Sequence, residues 1–547
     1  MQCGGLYGSA RGHQPTVKVR GESLDPDVSG WFLTTTQRDN PYTRLDGHSG
    51  GLAWSKGNHA RALVHGATYF AELLKVLTAV GPGDLVLFTD WRGDPDERLD
   101  GPGTEIGRLL AGAASRGVDV RGLVWRSHQD RFKFSAAENR RLGGEIEAAG
   151  GQCLLDQRVR PLGSHHQKLV VVRHRDRPHD DVAYVGGIDL SHSRRDDARH
   201  FGDPQAQPMS SVYGGRPPWH DVQLEIRGPA VGLVEMVFRE RWEDPAPLSR
   251  NPVHFLGERL LGEDRHPRPL PPQGPDPAPV GRHTVQLLRT YPSRRPGYPF
   301  APHGERSVAR GYIKALGRAR SLVYLEDQYL WSEEVASVFC RALQRHPGLR
   351  MVAVIPGHPD QDGRTSAPPN FLGRERPLDM LRRAAPGRFA VYSLENENGT
   401  PIYVHAKVCI VDDTWACIGS DNTNRRSWTH DSELSCAVLD EERGWARSLR
   451  LELAAEHLGL HADGAGSPPG TELLGDPVAM FEEFRASAQR LDAWHGAGRR
   501  GPRPTGQLRV YRQPRLSWFT RAWSRPLYRT VFDPDGRTPM RRLRGHY

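Results

Sequence analysis

The chain has 547 residues, 37% of them hydrophobic and 25% charged, with a formal net charge of +9. That composition suits a soluble globular protein of two domains or one duplicated domain. No apolar run approaches the roughly 18–20 residues needed to span a bilayer, and the six cysteines have neither metal nor disulfide spacing.

Residues 1–20 carry no charged stretch followed by an apolar one, so no secretory signal is read there. Strands are expected at residues 85–88 and 118–124, and helices at 104–115 and 135–149. A strand with the sequence Ser164-His165-His166-Gln167-Lys168-Leu169-Val170-Val171-Val172 follows, then strands at 182–185 and 222–226. An amphipathic helix with proline at its start is expected over 229–242. Residues 205–218 read as irregular: a loop over a site, or a surface insertion. Residues 267–279 (PRPLPPQGPDPAP) read as an extended linker.

The order then repeats. A helix is expected at 307–319, a strand at 322–325, a helix at 333–345 and a strand at 351–355. Next come Tyr403-Val404-His405-Ala406-Lys407-Val408-Cys409-Ile410-Val411-Asp412, strands at 416–418 and 434–439, and a closing helix at 442–458. Cys409, Cys417 and Cys436 lie in strand-like runs and read as reduced core residues, which favours a cytoplasmic chain. After residue 465 the repeat ends in a basic tail with one helix at 477–494. Its segment 518–526 mixes tryptophan and phenylalanine with arginine. That mixture suits a membrane surface, although packing of the rings on the domain is the favoured reading. Alternating strands and helices, twice over, give a duplicated α/β fold. The divisions are an N-terminal extension (1–59), a first half (60–250), a linker (251–283), a second half (284–464) and a tail (465–547).

The repeated unit His-x-Lys carries the chemistry. On a strand, residues i and i+2 share a face, so each copy sets an imidazole beside an ammonium. Only seven lysines stand among the 74 lysines and arginines, yet both copies use lysine, a compact rotating charge. Two imidazoles and two ammoniums suit displacement at a phosphodiester. A carboxylate behind each imidazole would fix its tautomer, and Asp221 and Glu433 stand at suitable places. The sequence leaves open whether these pairings stay within a half or cross; crossing is favoured. His165 alternates to the opposite face and is expected to be structural.

The second copy extends to His405-x-Lys407-x4-Asp412, followed by Gly419-Ser420-x-Asn422. The first is followed by Gly186-Gly187-Ile188-Asp189. With Trp219-His220-Asp221 and Tyr324-Leu325-Glu326-Asp327-Gln328-Tyr329, this resembles the phospholipase D superfamily over roughly residues 60–460. The resemblance implies two mixed β-sheets flanked by helices, forming a pseudo-dimer with the active site at the interface. It implies His166 as nucleophile and His405 as acid and base, one ring starting neutral and the other charged. Asp221 and Glu433 stand behind the rings, and Lys168 and Lys407 sit on the phosphate oxygens. Asn422, Ser420, Asp189 and Gln328 are candidates for phosphate binding, and Asp412 for local structure. Hydrolysis of glycerophospholipid to phosphatidic acid, or transfer to another alcohol, is the expected activity. A nuclease-like phosphodiesterase, a phospholipid synthase and a non-catalytic lipid-binding protein are the alternatives.

The scheme calls for no cofactor and no metal, since the sequence has no His-Glu-x-x-His, no Cys/His cluster and no EF-hand loop. His220 and His430 read as lone structural histidines. A phospholipid substrate, transient contact with a membrane surface, no nucleic acid and a sufficient monomer complete the expectation. One departure stands out: Arg173 replaces the motif aspartate in the first copy. Asp176, Asp180 and Asp181 follow in the loop and could supply a substitute contact.

Overall fold

The computed structural model describes residues 26–127, 136–251, 266–440, 442, 444–460 and 471–547. Cys3 and residue 135, the expected start of one helix, lie outside them, as does part of the linker.

The first half contributes β1 (Ser55–Val64), β2 (Leu85–Asp90), β3 (Asp119–Trp125), β4 (Gln152–Asp156), β5 (Leu169–Arg173), β6 (Val182–Gly186), β7 (Trp219–His220) and β8 (Val222–Arg227). The second contributes β9 (His283–Tyr291), β10 (Glu305–Arg306), β11 (Leu322–Glu326), β12 (Arg350–Val354), β13 (Phe389–Glu395), β14 (Pro401–Val404), β15 (Val408–Val411), β16 (Trp415–Gly419) and β17 (Glu433–Leu439). A last strand, β18 (Leu508–Val510), comes from the tail.

Pairing makes the duplication explicit. The first sheet runs β1-β8-β6-β5-β2-β3-β4, with β2-β3-β4 parallel and the rest antiparallel. The second runs β9-β17-β16-β15-β11-β12-β13 with the same polarities. β1 joins the two, because Ser55 and Asn58 pair with β9 while His59 to Val64 pair with β8.

Alternation along each strand sorts side chains into separate cores. Leu87, Leu123 and Val171 of the first sheet share one cluster with Tyr324, Ile410 and Ile418 of the second. The residues between them, Val86, Phe88 and Val170, pack under the first half's outer helices. Val323, Leu325 and Cys409 do the same in the second half. Cys153, Cys340, Cys409, Cys417 and Cys436 are buried free thiols.

Two expectations fail. The helix Ala230–Trp242 is not amphipathic at the surface; every residue in it is buried. Its charges are paired instead: Arg239 with Glu235 at 2.7 Å, Arg241 with Asp156 at 2.6 Å, and Glu240 with Arg289 of β9 at 2.6 Å. The tail adds to the fold: β18 pairs with β13, and helix Pro477–Gly496 sends Met480, Phe481 and Phe484 into the shared core. The tail's aromatic residues also do not all pack down. Trp518 and Phe519 are 79% and 65% exposed. They occupy the first turn of helix Trp518–Leu527, which docks through Arg521 on Glu375 and the buried Ser524.

Residues 205–218 reach across to the other half. Ser210 N–H donates to the Asp360 carbonyl, and the Tyr213 hydroxyl to the His358 carbonyl at 2.5 Å. Buried Tyr213 lies edge-on to Tyr403, two residues before His405.

Candidate active site

Neither His-x-Lys copy lies in a ladder of its own sheet. The first precedes β5, and the second fills the gap between β14 and β15. The break has a cause: here the backbone pairs with the opposite half. His166 N–H donates to the Ser432 carbonyl at 3.0 Å, and Ser432 N–H to that of Ser164 at 3.0 Å. By the same pattern His405 N–H donates to the His220 carbonyl at 2.8 Å, and Tyr403 N–H to that of Pro218 at 2.9 Å. Each histidine is therefore held beside the residue preceding the other half's carboxylate.

Side chains follow. His166 Nδ1 lies 2.8 Å from Glu433 Oε2, and His405 Nδ1 lies 2.6 Å from Asp221 Oδ2. Both pairs cross between halves. In each, a carboxylate on Nδ1 fixes the tautomer that leaves the Nε2 lone pair free. The His166 side chain is 16% exposed and that of His405 8%, while both carboxylates are fully buried. Gly187 makes room for Asp221: a Cβ there would fall 2.3 Å from Asp221 Oδ1.

The ammoniums complete the cluster. Lys168 Nζ donates to the His166 carbonyl at 3.0 Å and pairs with Asp189 at 3.4 Å. Lys407 Nζ donates to the His405 carbonyl and to Gln328 Oε1. Burial, with Lys168 and Lys407 adding to it, holds the His166 imidazole well below its ordinary range. Burial and Lys407 push His405 down to about 3. Both rings are thus biased towards the neutral form. Burial also lowers Lys407 to about 8. Burial and the neighbouring Asp431 raise Glu433 to about 8.

The four phosphate-binding candidates have different surroundings, beginning with Asn422. It is 4% exposed, and its Oδ1 has no hydrogen-bond partner within the protein. The Ser420 hydroxyl donates to Glu433 Oε2 at 2.6 Å and accepts from Leu434 N–H at 3.0 Å, so it steadies the carboxylate. Asp189 is occupied with Lys168 and Arg194, the cations that a buried carboxylate needs. Gln328 orients Lys407 and is itself held by donating to Tyr403 and Tyr329.

Asp412 accepts from Ser321 and Leu322 N–H at 2.9 Å and from Arg320 N–H at 2.7 Å, tying its turn to the start of β11. In the first half Arg173 pairs with Asp181 at 3.0 Å and with Glu235 at 3.3 Å. Asp181 in turn accepts from His174 N–H at 2.6 Å. The substitute contact thus comes from Asp181, while Asp176 is exposed. His165 is fully buried 4.0 Å from Asp156, away from the cluster.

Three further neighbours, to which no role was assigned from the sequence, shape the site. Trp219 stacks near His405, with ring centroids 4.8 Å apart. The Arg194 guanidinium lies 4.0 Å above Trp219. Asp431 accepts from Ser164 N–H and Oγ, both at 2.9 Å, and pins the chain entering the first motif. Asp431 alternates with Glu433 and could have been singled out on that basis.

Comparison with known proteins places this geometry. The Phospholipase D family model matches residues 94–259, and the model described as "Cardiolipin synthase, PLD-like domain" matches residues 312–450. Phospholipase D alpha 1 of Cynara cardunculus is 25% identical over 71% of this chain and 63% of its own length. Phospholipase D alpha 1 of Zea mays is 26% identical over 72% and 63%. The chain thus spans 63% of the length of these relatives. The crystal structure of phosphatidylserine synthase from Haemophilus influenzae Rd KW20 superposes with a TM-score of 0.50 at 11% identity, covering 83% of this chain and 99% of that one. It shares the fold. With one family model on each half and the crossed histidines between them, the chain belongs to the phospholipase D superfamily.

Proposed function

We propose that the chain is a phospholipase D-type phosphodiesterase, cleaving the head-group alcohol from glycerophospholipids through a phosphohistidine. The crossed His166–Glu433 and His405–Asp221 pairs carry this reading. They give two oriented imidazoles, each with the ammonium of its own motif on its backbone carbonyl, a set suited to one phosphodiester between them. His166, the more exposed ring, attacks phosphorus and displaces the alcohol oxygen. Lys168, Lys407 and Asn422 bear the charge that builds on the non-bridging oxygens. The anionic phosphodiester offsets the two lysines, which favours protonation of His405 and lets it donate to the departing alcohol. His405 then takes the proton of an incoming water or alcohol, whose oxygen attacks phosphorus and releases His166.

A second reading, transfer to a lipid or amino-alcohol acceptor in a synthase, is supported by the match of the second half to the cardiolipin synthase-like domain. Exposed Trp518 and Phe519, with exposed Arg521, Arg525 and Arg529 beside them, suit transient contact with an anionic membrane surface. No described helix is long and apolar enough to cross a membrane. Both half-sites lie in one chain, so a monomer suffices.

The test is incubation with phosphatidylcholine, phosphatidylethanolamine or phosphatidylglycerol vesicles in the presence of ethanol, serine or glycerol. Phosphatidic acid and phosphatidylethanol are the expected products. Product only with serine or with a lipid acceptor supports the synthase reading. No turnover of any lipid, with cleavage of nucleic acid, overturns both.

A further inference from the structure

His220 is not a lone histidine. Directly behind the His405–Asp221 pair, His65 Nε2 lies 2.7 Å from Glu456 Oε2, His200 Nε2 3.0 Å from Glu456 Oε1, and His220 Nδ1 3.4 Å from the same Oε1. These donor atoms all lie within 4.8 Å of one another. The rings surround a common centre, with centroids 4.9, 5.2 and 5.5 Å apart. All four residues are at most 8% exposed.

The outer contacts decide what this centre can hold. His220 Nε2 faces Glu326 Oε2 at 2.7 Å, and His200 Nδ1 faces the Trp219 carbonyl at 3.2 Å. A ring that donates to a carboxylate or carbonyl from one nitrogen carries a lone pair on the other. That is the tautomer a metal ligand needs, and the outer partner is the kind that orients ligating histidines. Lone pairs on His220 Nδ1 and His200 Nε2 would face a carboxylate oxygen, which is repulsive without a cation between them. His220 Nδ1 makes no hydrogen bond, although the residue is fully buried. Without a metal these contacts need additional protons, for example on His200 and His220, whose ring centroids lie 5.5 Å apart inside the protein. One divalent ion satisfies all three rings and the carboxylate at once.

We infer that His65, His200, His220 and Glu456 form a structural site for a divalent transition metal of the zinc class. Three imidazoles and one carboxylate match zinc's preferred donors, and four buried protein ligands leave no open position for substrate, as in structural rather than catalytic sites. The ligands come from the end of β1, from the chain leading into and through β7, and from helix Trp445–Leu458 of the second half. The metal would tie the halves together beneath the reaction centre. His220 accepts the His405 N–H through its carbonyl and is followed directly by Asp221, so its anchoring sets the catalytic pair. This inference does not depend on which phosphodiester is cleaved.

The test is elemental analysis of the purified full-length chain, with and without dialysis against a chelator, then titration with zinc or cobalt(II). The expected result is about one zinc per chain. Cobalt(II) should add the visible absorption of a four-coordinate nitrogen and oxygen site, and melting temperature should fall on stripping and return on refilling. His200→Ala and Glu456→Gln should each bring metal below about a tenth of an equivalent; His65→Gln serves if either fails to fold. A folded wild-type chain that holds no metal, gives no cobalt band and melts unchanged after zinc addition would overturn the site and leave a proton-shared network.

Discussion

Replacing Glu433 by glutamine separates two effects of one buried carboxylate. For activity, the carboxylate accepts from His166 Nδ1 at 2.8 Å and from Ser420 at 2.6 Å. An amide can offer an N–H to Nδ1, favouring the tautomer with no lone pair on Nε2. Loss of the equivalent carboxylate in a serine-protease triad lowers kcat about 10^4-fold, so a loss of about 10^3- to 10^4-fold is expected here. For stability the sign is opposite. Burial raises Glu433 from 4.5 to about 8. A group raised in the folded state stabilises fully below its unfolded value, and that stability is lost as pH climbs through the folded value. The wild type therefore weakens between about pH 4.5 and pH 8, whereas the neutral glutamine does not. Relative to wild type, Glu433→Gln should gain up to a few kcal/mol across that window, less the lost hydrogen bonds. Denaturant melts at about pH 5 and about pH 9, beside phospholipid turnover, read both effects. A variant active within a few-fold of wild type, or one whose stability relative to wild type falls as pH rises, would refute the reasoning.

Other outcomes follow from the same contacts. His166→Asn and His405→Asn should each abolish turnover, and the double variant should be no worse, because the pair acts as a unit; steady-state rates check this. Gly187→Ala should press on Asp221 Oδ1, where its Cβ would lie 2.3 Å away, and lower kcat more than it raises KM. Arg289→Met leaves Glu240 and Glu305, each 2.6 Å from the guanidinium, buried without that partner. It should cost about 3–5 kcal/mol in urea unfolding. Asp181→Ala should destabilise the chain by about 2–3 kcal/mol through loss of its Arg173 and His174 contacts, whereas Asp176→Ala should unfold like wild type.

Much of the architecture is legible because strand and helix periods alternate twice in one order. The helix expected at 333–345 forms with those limits. The strands expected at 85–88 and 182–185 form with one or two further residues. β1 and β9 are missed because their mixed polar and apolar residues show no clean alternation, yet they join the sheets. Helix Ala230–Trp242 misleads because charged residues normally mark a solvent face; only the structure shows partners from other strands meeting them. The repeated His-x-Lys marks the site, since two such pairs in one chain have little purely structural use. The ladder break around each copy is not legible, because pairing with the opposite half leaves no local pattern. The His65, His200, His220 and Glu456 cluster is equally hidden. Its members stand far apart in sequence, without metal-site spacing, and only folding brings them to one carboxylate.

In this scheme histidines from the two halves flank one phosphorus atom. Peptide mass analysis of the wild type and of His405→Asn, quenched under basic conditions during incubation with phospholipid vesicles, is the decisive measurement, because an adduct on one histidine names the nucleophile. A phosphatidyl adduct on the peptide containing His166, lost in His166→Asn, is the expected result. An adduct on neither histidine, with phosphatidylethanol still formed by both single variants at the wild-type rate, would contradict the account.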